Sequence, residues 1–231
     1  MNRLTVGLLA AGLARGGEIY NFWRDATHVR GIWRKTSLQG YRGQQPAWDV
    51  ILDIDRLAEA EGESWVWSNV SCRYPDYDRC LVGLSIGGAD AAVQREFDLD
   101  AREWVGDGFV LPESKSSVTW RDRDSVFLGP AFSDEQVTDS GYPRTVQVWR
   151  RGTPFETAET IFEGERGDVA SWAARIWDGD EYHELVIRFP DFFSRVHYLY
   201  RNGKVERLNL PSDAEIPGII HGQLLPPPSP T

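Results

Sequence analysis

The chain has 231 residues, enough for one large core or two modest ones, with 41% hydrophobic and 26% charged residues, as is usual for globular proteins. Its net charge of −10 argues against nucleic acid or an anionic membrane as a partner, because phosphate binding requires a basic surface. Ten Trp, ten Phe and eight Tyr favour an all-β protein, since large flat side chains pack well in sheets.

The amino-terminal stretch Met1 to Ala14 places an Arg before a short apolar run. A short signal peptide is one interpretation, and a structural or accidental segment is the other, which we favour because the run is short and no spacer follows it. It is too short to span a bilayer, and no other stretch would do so. Without a clear signal peptide or a set of disulfides, we expect a cytoplasmic protein.

The first strands alternate in hydrophobicity. Glu18 to Asp25 and Gly31 to Ser37 are predicted to pair, and Asp49 to Asp55 continues as a third strand. The stretch Asp55 to Gly62 predicts a two-turn helix, with Asp55 as its N-cap and Gly62 as its terminator. This region forms the first predicted blade.

A repeat follows, in which Trp67, Trp120 and Trp172 each lead a set of strands and recur at about 50 residues. Four short strands per unit at this period are typical of propeller blades, which need neighbours to bury their faces. The units span about residues 64–106, 116–165 and 168–210. Their third strands begin at Val93, Val146 and Val196. Their fourth strands cover residues 103–105, 159–163 and 205–210.

The turns between the strands have suitable chemistry. Asn202-Gly203 is a strong two-residue hairpin signal, and the segments 122–124 and 178–180 are polar connections. Residues 218–225 are predicted to start a fifth blade, which the Pro-rich segment 226–231 interrupts, because proline cannot continue a sheet ladder. We therefore predict an all-β chain with an incomplete β-propeller of about four blades.

One motif has the sequence of a hydrolase nucleophile elbow, Gly83-Leu-Ser85-Ile-Gly87. An elbow needs a strand, a sharp turn and then a helix, but here the glycines are followed by a second predicted strand. The four histidines, at positions 28, 183, 197 and 221, show no triad signature. We expect a hairpin in which Ser85 is structural, and we assign no catalytic residue, no cofactor-binding residue and no metal-binding residue.

Two cysteines, Cys72 and Cys80, do not make a disulfide framework in a chain of this length. They either face each other across neighbouring strands or are two buried free thiols, and the second interpretation is the one we expect.

Other candidate sites have simple structural explanations. Asp122, Asp124 and Ser125 have oxygen ligands for Ca²⁺ but lack EF-hand spacing, so a solvated loop is expected. Asp25 and His28 are expected to form a hydrogen-bonded turn. Five carboxylates near strand ends are expected to line solvated rims rather than a glycosidase pair: Asp98, Asp100, Asp107, Glu163 and Glu165. The repeated tryptophans suit core packing better than sugar stacking.

Several segments resemble the prolyl oligopeptidase family of serine peptidases, in the same order as in its bacterial prolyl endopeptidase-like members. They are Tyr20-Asn-Phe-Trp-Arg-Asp25, His28-Val-Arg-Gly-Ile-Trp-Arg34, Glu61-Gly-Glu-Ser-Trp-Val-Trp67, Leu84-Ser-Ile-Gly-Gly-Ala-Asp90, Arg95-Glu-Phe-Asp98, Gly108-Phe-Val-Leu-Pro112 and Ser140-Gly-Tyr-Pro-Arg144. The resemblance covers about residues 17–225 and is to the amino-terminal propeller of the family. The elbow-like residues 83–87 match a propeller hairpin there.

The resemblance implies a division of labour. In the family a seven-bladed propeller covers an α/β-hydrolase domain, restricts access to short peptides and contributes no member of the catalytic triad. The matched residues correspond to neither that hydrolase domain nor the last blades, so the chain is expected to be inactive alone. Residues 1–16 and 226–231 do not resemble the family, and our hypothesis is a reading frame truncated from a longer peptidase gene.

The sequence is compatible with two functions. The chain is either the propeller portion of such a peptidase, acting on peptides through a separate hydrolase domain, or a free-standing propeller-like module that binds peptide or protein. In both cases the open blade faces are expected to promote self-association, because they exceed the apolar patch that monomers usually expose. An independent hydrolase that uses Ser85 ranks last.

Overall fold

Short antiparallel sheets account for most of the chain in the computed structural model, which describes residues 17–43 and 45–225. The chain divides into two compact units, with the boundary between Gly106 and Asp107. No helix in the described ranges is long and apolar enough to cross a membrane. The segments 1–16 and 226–231, for which we predicted a leader-like and a Pro-rich segment, lie outside the described residues.

Unit one contains two sheets. Blade one is a three-stranded sheet in the order β1-β2-β3, and blade two has its strands in the order β4-β5-β6-β7, all antiparallel. The elements are β1 (Glu18–Trp23), β2 (Ile32–Ser37), α1 (Leu38–Tyr41), β3 (Asp49–Asp53), α2 (Ile54–Glu61), β4 (Trp65–Cys72), β5 (Arg79–Ile86), β6 (Ala92–Asp98) and β7 (Glu103–Trp104).

Unit two begins with β8 (Val110–Ser114) and contains blades three and four, with strand orders β12-β11-β10-β9 and β13-β14-β15-β16, and then a β17-β18 hairpin. The remaining elements are β9 (Ser117–Trp120), β10 (Ser125–Gly129), β11 (Thr145–Arg150), a 3-10 turn (Phe155–Thr157), β12 (Glu159–Glu163), β13 (Ala170–Asp178), β14 (Glu181–Phe189), β15 (Val196–Arg201), β16 (Lys204–Arg207), β17 (Ile219–Ile220) and β18 (Gln223–Leu224).

The prediction of an all-β chain with about four successive blades is confirmed by these sheets. Each predicted blade corresponds to one antiparallel sheet, and the predicted start of a fifth is the β17-β18 hairpin. The Asn202-Gly203 turn is also confirmed: both residues have positive φ, 53° and 73°, as a two-residue turn that matches the strand twist requires.

The core of unit one is aromatic. Phe22 of blade one stacks on Trp67 of blade two with ring centroids 4.8 Å apart, and Trp33 lies 5.5 Å from the same ring. Phe97 and Ile54 are fully buried in this cluster. Aromatic side chains contributed by both sheets therefore bury the face that neither blade can bury by itself.

In unit two, one buried cluster joins blades three and four and is mostly aliphatic. Phe127 and Val146 of blade three pack with Ala173 and Val186 of blade four, and all four are buried. Trp120 is buried as expected, whereas Trp172 is 42% exposed and so does not serve core packing. Its neighbours on β13 are both buried, so strand alternation directs the Trp172 side chain to the opposite face.

The helix α2 begins two residues earlier than predicted. Its N-cap is Asp53, whose side chain accepts a hydrogen bond from the N–H of Arg56, so the prediction of Asp55 as the cap is wrong. Asp55 instead accepts hydrogen bonds from the N–H groups of Arg30 and Gly31, which joins the first helical turn to the start of β2. Gly62 terminates the helix in the left-handed conformation, as predicted.

The two cysteines form a disulfide, so the expectation of free thiols is wrong. Cys72 ends β4, Cys80 lies near the start of β5, and the antiparallel register places them directly opposite each other. Directly opposite positions bring the Cβ atoms of two strands within bonding reach.

Candidate functional site

The elbow-like motif is part of a hairpin. Ser85 lies within β5, is only 3% exposed, and its hydroxyl donates to the carbonyl of Val66 at 3.5 Å. Gly87 and Gly88 come next with φ of 62° and 83°, and the chain continues into β6 rather than a helix. A buried hydroxyl in the middle of a sheet cannot attack a substrate, so the hairpin interpretation stands.

The loop after β1 holds Asp25 and His28 together, as expected for a structural turn. One carboxylate oxygen of Asp25 accepts from the N–H groups of Thr27 and His28 and lies 3.0 Å from His28 Nδ1. The other accepts from Trp23 Nε1 at 2.9 Å. These bonds, that from the His28 N–H first, hold the pKa of Asp25 far below its ordinary value. A carboxylate saturated in this way is a turn stabiliser.

The carboxylates near strand ends have the surroundings of solvated rims. Asp98 pairs with Arg79 and accepts from the backbone of its own turn, while Glu163 pairs with Arg144. The remaining three are exposed: Asp100, Asp107 and Glu165. Pairing with an arginine or a turn backbone, or exposure to water, is what we expect of carboxylates on solvated blade rims.

The structure brings four charged side chains together where blades three and four meet. Arg175 and Glu184 face each other in the β13-β14 register and form an ion pair, and each side chain is only 7% exposed. Arg121, at the end of blade three, places Nε 2.9 Å from Oε1 of Glu184 and donates from Nη2 to Oε2 at 3.2 Å. Asp122 completes what we call the charged cluster, defined as Arg121, Asp122, Arg175 and Glu184.

Asp122 is one of the three residues that the sequence offered as oxygen ligands for Ca²⁺. One of its carboxylate oxygens accepts from Ser125 Oγ at 2.8 Å and from the N–H of Asp124, while the other lies 3.6 Å from Arg175 Nη2. A guanidinium therefore compensates this carboxylate where the hypothesis placed a cation. Among residues 17–43 and 45–225, no group of three or more His, Cys, Asp or Glu side chains has the arrangement of a metal site.

The carboxylates of the charged cluster favour the charged form of Arg121. Burial lowers the pKa of Arg121, but the hydrogen bond and the charge of Glu184, with help from Asp122, outweigh that effect and raise it above its ordinary value. The guanidinium of Arg175 also lies 3.7 Å from the ring centre of Tyr182. Glu184 therefore joins blade four to the edge of blade three through Arg121, while Arg175 pairs with it inside blade four.

A pocket of about 510 Å³ opens beside this cluster. Its lining combines Arg121 and Glu184 with two aromatic rings, Tyr182 and Tyr200, and with His183. The Nε2 atom of His183 is buried and makes no hydrogen bond. No Ser, Thr or Cys side chain that could act as a nucleophile lies among these lining residues.

The order and form of the blades agree with the comparisons with known proteins. The family model described as prolyl oligopeptidase, N-terminal β-propeller domain, matches residues 9–202. The chain belongs to this family. An uncharacterized peptidase of Sinorhizobium fredii is 40% identical over 94% of this chain, and one of Rickettsia prowazekii is 30% identical over 90%.

Solved structures show the same fold. A post-proline cleaving enzyme from Rickettsia typhi superposes with a TM-score of 0.82 over 90% of this chain, at 29% identity. The β-propeller domain of the trilobed protease from Pyrococcus furiosus matches with a TM-score of 0.55 at 16% identity, which supports the fold alone. The chain spans 31% of the length of each of the two curated relatives and 32% of the Rickettsia typhi chain.

Sequence reasoning missed most of the charged cluster. Arg121 and Glu184 lie 63 positions apart in two different blades, so no local pattern joins them. The Arg175–Glu184 pair could have been predicted from the sequence. The two residues are equidistant from the polar turn at 179–180, so they face each other in the hairpin. Counting register outwards from that turn identifies the pair.

Proposed function

We propose that this chain is the substrate-gating propeller portion of a prolyl oligopeptidase-type serine endopeptidase that acts on short peptides. The observation that carries the proposal is the succession of four antiparallel blades along the stretch that the family's propeller model matches. In this proposal the catalytic triad lies in polypeptide outside the matched part, and the propeller limits which substrates reach it.

Two contacts between consecutive blades support this proposal. A propeller excludes large substrates only if neighbouring blades do not separate, and the charged cluster joins blades three and four through Arg121 and Glu184. In unit one the stacked rings of Phe22 and Trp67 connect blades one and two. Both contacts are between side chains of consecutive blades, which is where separation would begin.

The decisive experiment is a hybrid peptidase, in which this chain replaces the matched third of the Sinorhizobium fredii relative. We expect the hybrid to cleave a short Pro-containing chromogenic peptide and to cleave a long unfolded protein at least about tenfold more slowly, because the long chain must thread the propeller. The chain alone, and its Ser85→Ala variant, should turn over neither substrate. Equal rates on both substrates would rule out gating, and turnover by the chain alone that Ser85→Ala abolishes would overturn the assignment of Ser85.

A free-standing binding module is the second candidate. Exposed aromatic side chains on blade four favour it, since Trp172, Phe192 and Phe193 are 42%, 80% and 85% exposed. Titration calorimetry with Pro-containing peptides distinguishes the two functions. Binding to the chain alone, together with an inactive hybrid, would favour the module.

We also infer that the isolated chain self-associates through the free faces of its blades, because a blade face without a neighbour leaves apolar surface in water. Sedimentation velocity over a range of concentrations tests this. A shift to larger species as the concentration rises is expected, and a single monomeric species that melts cooperatively would contradict it.

A further inference from the structure

A separate pocket, of about 380 Å³, opens in unit one beside the loop that joins β1 to β2. We call it the arginine pocket, and it is lined by Arg24, Val29 and Arg30 of that loop, by Asp55 of α2 and by Val66 of β4. Two guanidiniums and one carboxylate give the pocket a net positive charge, although the whole chain has a net charge of −10. A cationic pocket on an acidic chain suits an anionic ligand.

Neither arginine of this pocket forms an ion pair with a carboxylate of the described residues. Arg24 donates from Nε to the carbonyl of Arg30 at 3.1 Å, and Arg30 donates from Nη1 to the carbonyl of Trp65 at 2.8 Å. A bond to a carbonyl orients a guanidinium but leaves its positive charge uncompensated. The remaining N–H groups of each guanidinium are then available to a ligand.

The carboxylate of the pocket is bound to the backbone of the loop. Asp55 accepts from the N–H of Arg30 with both oxygens, at 3.0 and 3.1 Å, and from the N–H of Gly31 at 3.2 Å. These bonds hold the loop against α2 and do not neutralise either guanidinium. The pocket therefore keeps two uncompensated cations beside a carboxylate that is already hydrogen-bonded.

Packing around Gly31 positions the more exposed of the two arginines. Gly31 has a φ of 107°, and a Cβ atom there would lie 2.5 Å from the ring of Phe22 and 3.0 Å from Cγ of Arg24. Glycine therefore lets Arg24 lie over that ring, with its guanidinium carbon 5.6 Å from the ring centre. Phe22 stacks in turn on Trp67, so Arg24 rests on the aromatic core. A cation held in this way loses little conformational entropy on binding.

We propose that the arginine pocket binds the free carboxylate of a peptide whose C-terminal residue has an apolar side chain. Planar guanidiniums donate paired N–H groups that match the two oxygens of a carboxylate. Val29, which is 70% exposed, and Val66 provide apolar contact beside the charge, and an inorganic anion would leave that contact unused. The inference goes beyond the proposed function, because it requires neither a gate nor a catalytic triad.

Titration calorimetry of the full chain with acetyl-Gly-Val tests the proposal, and the same peptide with a C-terminal amide is the matched control ligand. We expect the amide to bind at least about tenfold more weakly, because it lacks the charge that the guanidiniums recognise. Equal binding of the two peptides, or no binding of acetyl-Gly-Val at millimolar concentrations, would overturn the proposal. If inorganic phosphate binds more tightly than the peptide, the pocket takes an inorganic anion and the assigned ligand is wrong.

Variants locate the binding. Arg24→Gln and Arg30→Gln should each weaken binding of acetyl-Gly-Val at least about tenfold. Arg56→Gln removes a cation of α2 that is 87% exposed and does not line the pocket, so affinity should stay within about twofold. Because Arg30 also supports Trp65, the melting temperature of each variant is measured, and Arg24→Gln decides the result if Arg30→Gln does not fold. An equal loss of affinity in Arg56→Gln would show a general charge effect and contradict the proposal.

The apolar part of the pocket has its own test. Val29→Ser should weaken acetyl-Gly-Val by about threefold or more and leave acetyl-Gly-Gly unchanged, since glycine has no side chain to contact the valine. Equal weakening of both peptides would contradict the apolar contact. The hybrid peptidase is measured separately: an inactive hybrid would reject the proposed function and leave this site standing, whereas absent binding by the chain alone would reject the site and leave gating untouched.

Discussion

Glu184 is the residue whose loss should most damage unit two. It is 7% exposed and neutralises Arg175, which is equally buried, as well as Arg121. Replacing Glu184 with Gln keeps the shape of the side chain but leaves Asp122, at 3.6 Å from Arg175 and 3.8 Å from Arg121, as the remaining counter-charge of the cluster. Removing one partner of a buried ion pair costs about 3 to 5 kcal/mol, and because the amide oxygen of Gln still accepts a hydrogen bond we expect the lower end, about 3 kcal/mol.

The matched control is Glu163→Gln. Glu163 also pairs with an arginine, Arg144, but its side chain is 60% exposed, so its pair should contribute at most about 1 kcal/mol. In a unit of this size about 3 kcal/mol corresponds to a fall in melting temperature of roughly 10 °C, against only a few degrees for the control. Differential scanning calorimetry and urea titration of the two variants provide the comparison.

A double-variant cycle tests whether the effect arises from the ion pair. Arg175→Met combined with Glu184→Gln should be less destabilised than the sum of the two single variants, by about 0.5 to 3 kcal/mol, since the uncompensated buried charge is then gone. If Glu184→Gln melts like Glu163→Gln, or if the two single effects simply add, the buried Arg175–Glu184 pair does not stabilise unit two and our reasoning about it is wrong.

Two other predictions address the disulfide and a buried histidine. Without reductant neither Cys72 nor Cys80 should react with iodoacetamide, and reduction should lower the free energy of unfolding by about 2 to 3 kcal/mol, as expected for a closed loop this short; alkylation of the oxidised protein would contradict the bond. Burial, with the nearby charge of Arg195, lowers the pKa of His197, so the unfolded chain takes up the proton at a higher pH than the folded one. The contribution of neutral His197 to the free energy of unfolding should therefore be complete above the ordinary histidine pKa of about 6.5 and be lost as the pH is lowered below it. His197→Gln should remove this part of the pH dependence in urea titrations between about pH 7 and 5. If the free energy of unfolding of the variant changes with pH as steeply as that of the parent chain, His197 is not the group responsible.

The sequence by itself determined the strands and their turns. Alternating hydrophobicity and turn residues such as Asn202-Gly203 act over a few neighbours, so they predict each hairpin wherever it lies in the fold. The same local reasoning identified Ser85 as part of a hairpin, because the residues after the Gly87-Gly88 turn have the pattern of a strand and not of a helix. The period of the tryptophans then predicted the number of blades.

Only the tertiary structure decided how side chains of different strands and blades meet. The pairing of Cys72 with Cys80 depends on the register of β4 with β5, and the outward direction of Trp172 depends on which face of β13 is covered. The contact of Arg121 with Glu184 exists only because two blades pack side by side. Local patterns fix the conformation of each strand, whereas burial, charge pairing and exposure depend on neighbours that are distant in sequence, and those neighbours are set by packing.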